Sequence, residues 1–224
     1  MVEIESYLAS LTAALKRAFG TRLCYVGLQG SYLRGEATER SDIDVMVILD
    51  GLTAEDLTRY RALVEQTREP EKACGFICGR AEMAHWNPLE ICHLLHTTRD
   101  IFGTLQDFVP PYTQADILNY IKLSLGNLYH GLCHTRIHAP RQALRQTLPE
   151  LYKQIFFILQ NLQFFRTGNF CGTKKDLLAQ LSGEDHAVLQ WEIDHRGRVD
   201  WELDGAFNLL FDWCQSTLNH LTEF

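Results

Sequence analysis

Apolar residues recur at Ile4, Leu8, Leu11, Leu15 and Phe19 in "VEIESYLASLTAALKRAF", the spacing of a helix with one buried face, and Gly20 stops it. The pattern then changes period. "RLCYVGLQG" reads as a strand whose exit is loop-rich through Gly27, Gly30 and Gly35. "DIDVMVILD" reads as a second strand, and its unbroken Val45–Leu49 run fits burial on both faces. "TAEDLTRYRALVEQTRE" returns to helical amphipathicity, with Thr53 as the N-cap and Glu55 and Asp56 in the first turn. "KACGFICG" follows as a third strand, interrupted by two glycines. Helix, strand, strand, helix, strand predicts a small α/β unit.

A break comes at "GTLQDFVPPYTQADI", where Pro110-Pro111 ends one element and Thr113 can cap the next. Helical periodicity then dominates, with candidate helices at 113–136, 141–166, 174–181, 185–194 and 203–221. The expected fold class is therefore α+β. An N-terminal α/β domain with a small mixed sheet, residues 1–107, precedes a C-terminal all-α helical bundle, residues 108–224.

At 224 residues and 46% hydrophobic content, the chain can bury its cores without staples. Its net charge of -7 and pI near 5.7 weigh against nucleic acid as the main partner, since wrapping a duplex calls for a basic face. Seven cysteines follow no disulfide-framework spacing, and an odd number cannot all pair internally. There is no secretory leader pattern and no apolar run long enough to span a bilayer. The expectation is a reduced, soluble, cytoplasmic protein with no membrane partner.

The chemistry concentrates in "GSYLRGEATERSDIDVMVILD". Along a strand, residues i and i+2 share a face about 6.5–7 Å apart, so Asp42 and Asp44 aim the same way while Ile43 faces the core. Two such carboxylates repel each other unless a cation sits between them. Hard Mg²⁺ takes oxygen ligands and is commonly shared between carboxylates and substrate phosphates. The Gly30-Ser31 turn lets backbone N–H groups approach a phosphate, and the hydroxyl adds a donor. Metal-binding acids beside a phosphate cradle point to phosphoryl or nucleotidyl transfer. Taken singly, Asp-x-Asp and Gly-Ser are common surface features; it is their order, across two apolar strands, that carries the argument.

That ordered set resembles the signature of the DNA polymerase beta-like nucleotidyltransferase superfamily: Gly-Ser, a loop with a further Gly, then Ser-Asp-x-Asp leading into a hydrophobic strand. The motif spans residues 30–49, and the order of elements extends the likeness over 1–105. The helical second half looks like that of the aminoglycoside-type members. The resemblance implies that Asp42 and Asp44 bind two Mg²⁺ ions, and that Gly30, Ser31, Ser41 and Arg34 contact a nucleoside triphosphate, with ATP expected. The reaction implied is in-line attack of an acceptor hydroxyl on the α-phosphorus with release of pyrophosphate. The family pattern also needs a third carboxylate on or after the next strand. "KACGFICG" holds none, so Glu82 is the expected third carboxylate, a metal ligand and catalytic residue that bridges metal or serves as general base, with Glu90 and Asp100 behind it. By the same resemblance, Glu150 is a candidate general base and Lys153 a phosphate contact; three apart, they share a helix face and equally suit a surface ion pair.

The acceptor expected is a small molecule, an aminoglycoside-like antibiotic being one candidate, because an acidic cleft suits a cation. Protein adenylylation of the toxin–antitoxin kind is the alternative, and a non-catalytic nucleotide-binding or interaction module is the rival from another class. The position of the third carboxylate discriminates enzyme from module. Relatives of this fold dimerise, which adds a homodimer to the expectations. Two other constellations are set aside. In a strand Cys74 and Cys78 lie about 13 Å apart, too far to share a zinc ion with Cys92, His93 and His96. His130, His134 and His138 form a stripe on one helix with no acidic third ligand, which reads as a polar face.

Overall fold

The computed structural model describes residues 2–221. The chain divides into two compact units, Met1–Tyr112 and Thr113–Phe224. In the first, α1 (Ile4–Phe19) leads through a 3-10 turn to β1 (Leu23–Leu28), a one-turn helix α2 (Gly30–Leu33) and β2 (Ile43–Leu49). Then come α3 (Ala54–Val64), β3 (Ala73–Gly79), α4 (Arg80–Ala84), α5 (Pro88–His96) and β4 (Arg99–Phe102). The four strands form one mixed sheet in the order β3-β2-β1-β4. β1 runs antiparallel to both β2 and β4, and β2 runs parallel to β3.

Strand β2 is central and apolar, so both of its faces are buried, as its sequence predicts. Ile43, Val45, Val47 and Leu49 face a core built with Leu8, Leu11, Leu15 and Phe19 of α1. Met46 and Ile48 face the other way, against Tyr25, Cys78, Met83 and Leu105, with Leu94 and Leu95 of α5 packed alongside. Asp44 shares this second face by the two-residue period of the strand. Helix α3 starts at a capping box, where Thr53 and Asp56 satisfy each other's backbone N–H groups. The same Asp56 accepts from Arg22 at 3.1 Å, tying α3 to the start of β1.

Four elements of this unit go beyond those the sequence predicts: the short helices α2 and α4, helix α5, capped by Asn87 with Pro88 in its first turn, and the short edge strand β4. The division between units falls after Pro110-Pro111 rather than at 107, because Leu105, Phe108 and Val109 pack into the core of the first unit. The second unit is all helical: α6 (Gln114–His138), α7 (Arg141–Thr167), α8 (Lys174–Leu178), α9 (Gly183–His195) and α10 (Leu203–His220). Helix α6 begins at a second capping box, Thr113 with Asp116, and α7 ends at Gly168 in the left-handed conformation. Among the described residues no helix is long and apolar enough to cross a membrane.

Candidate active site

The site lies at one end of the sheet, where β1 runs out and β2 begins. Asp42 immediately precedes β2 and is exposed; Asp44 is half-buried on the strand itself. Burial raises the pKa of Asp44, and the charge of Asp42 adds to the rise, while a hydrogen bond from the Cys74 thiol and the charge of Arg34 oppose it. The carboxylate pair is thus short of positive charge at its own location.

Gly30 meets Asp44 directly. Its φ is +70°, and a Cβ built on it would overlap the Asp44 carboxylate. Only glycine tolerates both conditions, so the turn of the chain is seated on the carboxylate. A backbone bond from Gln29 N to Asp44 O, 2.9 Å, fixes that seat. The Gln29 side chain then donates to Thr98 Oγ1 at 2.8 Å, and Thr98 donates to Leu94 O at 2.7 Å, anchoring the turn to the end of α5. Ser31 follows in α2 and is half-buried. Arg34 pairs with Glu36 at 2.9 Å while its charge acts on both Asp44 and His93 of α5. Ser41 instead closes the loop that delivers Asp42, its Oγ accepting from Thr38 N at 2.8 Å.

The sequence-predicted third carboxylate is not brought to this place. Strands β2 and β3 pair Asp44 with Cys74 and Leu49 with Gly79, so β3 ends at the opposite edge of the sheet from the aspartates. Glu82 folds back against Gly79, about 16 Å of strand away from the Asp44–Cys74 pair. The helix that follows a parallel strand starts where the strand ends, and this strand starts, rather than ends, beside the aspartates. Glu90 accepts a hydrogen bond from the Trp86 indole, and Asp100 accepts from the Tyr25 hydroxyl at 2.6 Å. Among the described residues, no group of three or more His, Cys, Asp and Glu side chains has the geometry to hold a metal ion. Asp42 and Asp44 nonetheless suit one hard divalent cation, which commonly binds through one or two carboxylates plus substrate phosphate. Their closeness to the glycine turn would put such phosphates within reach.

In the second unit, Glu150 and Lys153 both lie exposed on α7 and pair with each other, Lys153 Nζ to Glu150 Oε1 at 2.7 Å. Cys74, set aside in the sequence as a metal ligand, is the residue that the strand register brings opposite Asp44. It is exposed on β3, and burial together with the negative charges of Asp44 and Asp42 pushes its thiol pKa up. A signal was present, since "KACGFICG" must pair with the strand carrying the aspartates; what one chain does not reveal is the register.

Three comparisons fit this geometry. Residues 13–76 match the family model described as the nucleotidyltransferase domain. A stretch of 45 residues is 49% identical to the protein adenylyltransferase MntA of Thermococcus cleftensis, covering 20% of this chain and 43% of that protein. The fold matches the crystal structure of spectinomycin adenyltransferase AAD(9) from Enterococcus faecialis with ATP and spectinomycin, at a TM-score of 0.58 and 12% identity, over 96% of this chain and 99% of that one. The first unit thus carries, in residues 13–76, a segment that matches the nucleotidyltransferase domain model, within a chain whose fold is similar to that of the solved adenyltransferase.

Proposed function

We propose that this protein is a nucleotidyltransferase, moving a nucleoside monophosphate from a nucleoside triphosphate to a hydroxyl group. The observation that carries the reading is the seating of the Gly30 turn on the Asp44 carboxylate, which juxtaposes a phosphate cradle and a cation-binding acid. ATP is the proposed donor, because the structural neighbour was solved with ATP. In the reaction the acceptor oxygen bonds to the α-phosphorus, the bond from that phosphorus to the bridging oxygen breaks, and pyrophosphate leaves. A divalent cation, when bound, would neutralise charge on the phosphates and the leaving group. Asp42 and Asp44 hold that cation, the backbone around Gly30 and Ser31 orients the triphosphate, and Arg34 contributes positive charge. Glu150 is the proposed acceptor of the hydroxyl proton and Lys153 a proposed phosphate contact; their exposure on α7 leaves both able to meet a ligand.

The proposed acceptor is a small cationic molecule carrying a hydroxyl, consistent with the net charge of -7 and with the spectinomycin-bound neighbour. A protein acceptor is the variant of this reading that the likeness to a protein adenylyltransferase favours, although the matched stretch spans less than half of that relative. A second reading, nucleotide binding without turnover, draws on the thiol of Cys74 beside Asp44 and on the remoteness of Glu82. One experiment separates them: incubation with each α-labelled ribonucleotide and Mg²⁺, with an aminoglycoside and aminocyclitol panel or cell lysate as acceptor. Label on a small molecule supports the proposal and label on protein bands moves the acceptor class. Nucleotide binding with no labelled product in any arm favours the non-catalytic reading.

A further inference from the structure

Helix α6 carries His130, His134 and His138 at i, i+4 and i+8 over its last turns. All three are exposed, on the side of the helix away from the buried Ile121, Leu125, Leu128 and Leu132. Their rings follow one another along the stripe. The centroids of His130 and His134 are 5.9 Å apart, and those of His134 and His138 are 4.8 Å apart. Among the described residues these ring contacts are their side-chain interactions, with no hydrogen bond or ion pair engaging a ring nitrogen.

Four residues of helix advance about 6 Å and eight advance about 12 Å. His130 and His138 are therefore too far apart to share an ion, in keeping with the lack of a three-ligand group among the described residues. Two ligands on successive turns are a different case, since an i, i+4 pair of histidines presents both rings on one face. A zinc–nitrogen bond is about 2.1 Å, and each nitrogen lies roughly 1.2 Å from its ring centre, so two rings on one ion have centres about 4.7–5.4 Å apart. That range runs from a square to a tetrahedral angle at the metal. His134 and His138 already stand at this spacing, whereas His130 and His134 stand outside it. Because the two rings are already side by side, little side-chain freedom is lost on binding.

The donor set decides which ion it suits. From Ile117 to His138 the helix contains no Asp or Glu, so the pair offers nitrogen without carboxylate oxygen. Mg²⁺ and Ca²⁺ select oxygen donors, while imidazole suits zinc, copper and nickel. We infer that His134 and His138 form a metal site of the helical unit, separate from the carboxylate pair of the first unit. It chelates one borderline first-row cation, Ni²⁺, Cu²⁺ or Zn²⁺, and leaves the remaining positions to water. His130 stands beside the site without binding the ion. The inference is independent of the transferase reading.

Calorimetric titration of the full chain with Ni²⁺ tests it, after alkylation of the exposed Cys74 and with Mg²⁺ in excess, so that neither thiol nor carboxylates compete. The wild-type protein binds Ni²⁺ under these conditions, and Cu²⁺ more tightly than Ni²⁺. His134→Ala and His138→Ala each weaken Ni²⁺ binding by at least about tenfold, since even groups that only support a metal ligand cost that much when lost. His130→Ala leaves the affinity within about twofold, as expected of a ring that makes no metal bond. The three positions are exposed, and circular dichroism verifies that each variant is folded. Absence of Ni²⁺ binding by the wild type, or an unchanged affinity in His134→Ala and His138→Ala, overturns the site. A loss in His130→Ala as large as that in His138→Ala overturns the assignment of the pair.

Discussion

At the scale of single residues, the contact between Gly30 and Asp44 makes the strongest demands. Gly30→Ala has to place a side chain at φ +70° and displace a carboxylate. The backbone alone costs about 1–2 kcal/mol, so the variant loses thermal stability and, through the moved carboxylate, loses transfer more steeply than stability. Scanning calorimetry beside the labelled-nucleotide assay checks both. Asp44→Asn keeps the shape and removes the charge; transfer falls by about a hundredfold or more, as expected when charge stabilisation of phosphoryl transfer is removed. Unchanged turnover in Asp44→Asn would remove this carboxylate from the chemistry. These residues were legible in the sequence because they are local: a glycine turn and an i, i+2 pair need no knowledge of the fold. Ser41 was legible as part of the motif but not in its role, since its bond to Thr38 depends on how the loop closes.

At the scale of elements, the pairing of β2 with β3 decides what the site contains. Reading along the chain placed Glu82 next to the aspartates because it follows the third strand closely. Parallel pairing reverses that expectation by starting β3 at the aspartates and ending it at the far edge. Glu82→Gln accordingly leaves kcat/KM for labelled transfer within about twofold of the wild type, an outcome expected for a substitution remote from the reacting atoms. Gly75→Ala, in contrast, disturbs strand β3 through its φ of +129° and the Val45 carbonyl. It lowers stability by about 1–3 kcal/mol, and chemical denaturation measures the loss. The long elements α1, β2, α3 and the bundle helices could be read from period and caps. Strand β4 could not, because four residues beginning Arg-Asp carry no alternation of their own and depend on Gly27 and Leu28 as partners. Helix α5 had the Asn-Pro start of a capped helix, but its apolar run is short enough to suit either period.

At the scale of the molecule, pH acts through groups set inside the first unit. Burial, helped by the charges of His96 and Arg34, pushes the pKa of His93 down to about 4. The imidazole therefore stays neutral in the folded protein while the unfolded chain takes up a proton below the ordinary value of about 6.5. The stability tied to this group is complete above pH 6.5 and drains away as pH falls toward 4, a loss on the order of 3 kcal/mol. Melting temperatures between pH 7.5 and 4.5 show the decline, and His93→Phe flattens it. A second loss sets in at more acid pH. Asp56, held well below the usual carboxylate range by the Arg22 guanidinium and the Thr53 bonds, must there be protonated. Neither effect touches the choice of acceptor, which net charge and fold leave to the labelling experiment. The distribution of the thiols offers a way to watch that site at work. Of the seven cysteines Cys74 alone is exposed, four are buried and Cys24 and Cys133 are partly covered. A mild alkylating reagent should therefore modify the chain first beside Asp44. The rate at which mass is added then becomes a native occupancy gauge, slowing when ligand fills the end of the sheet.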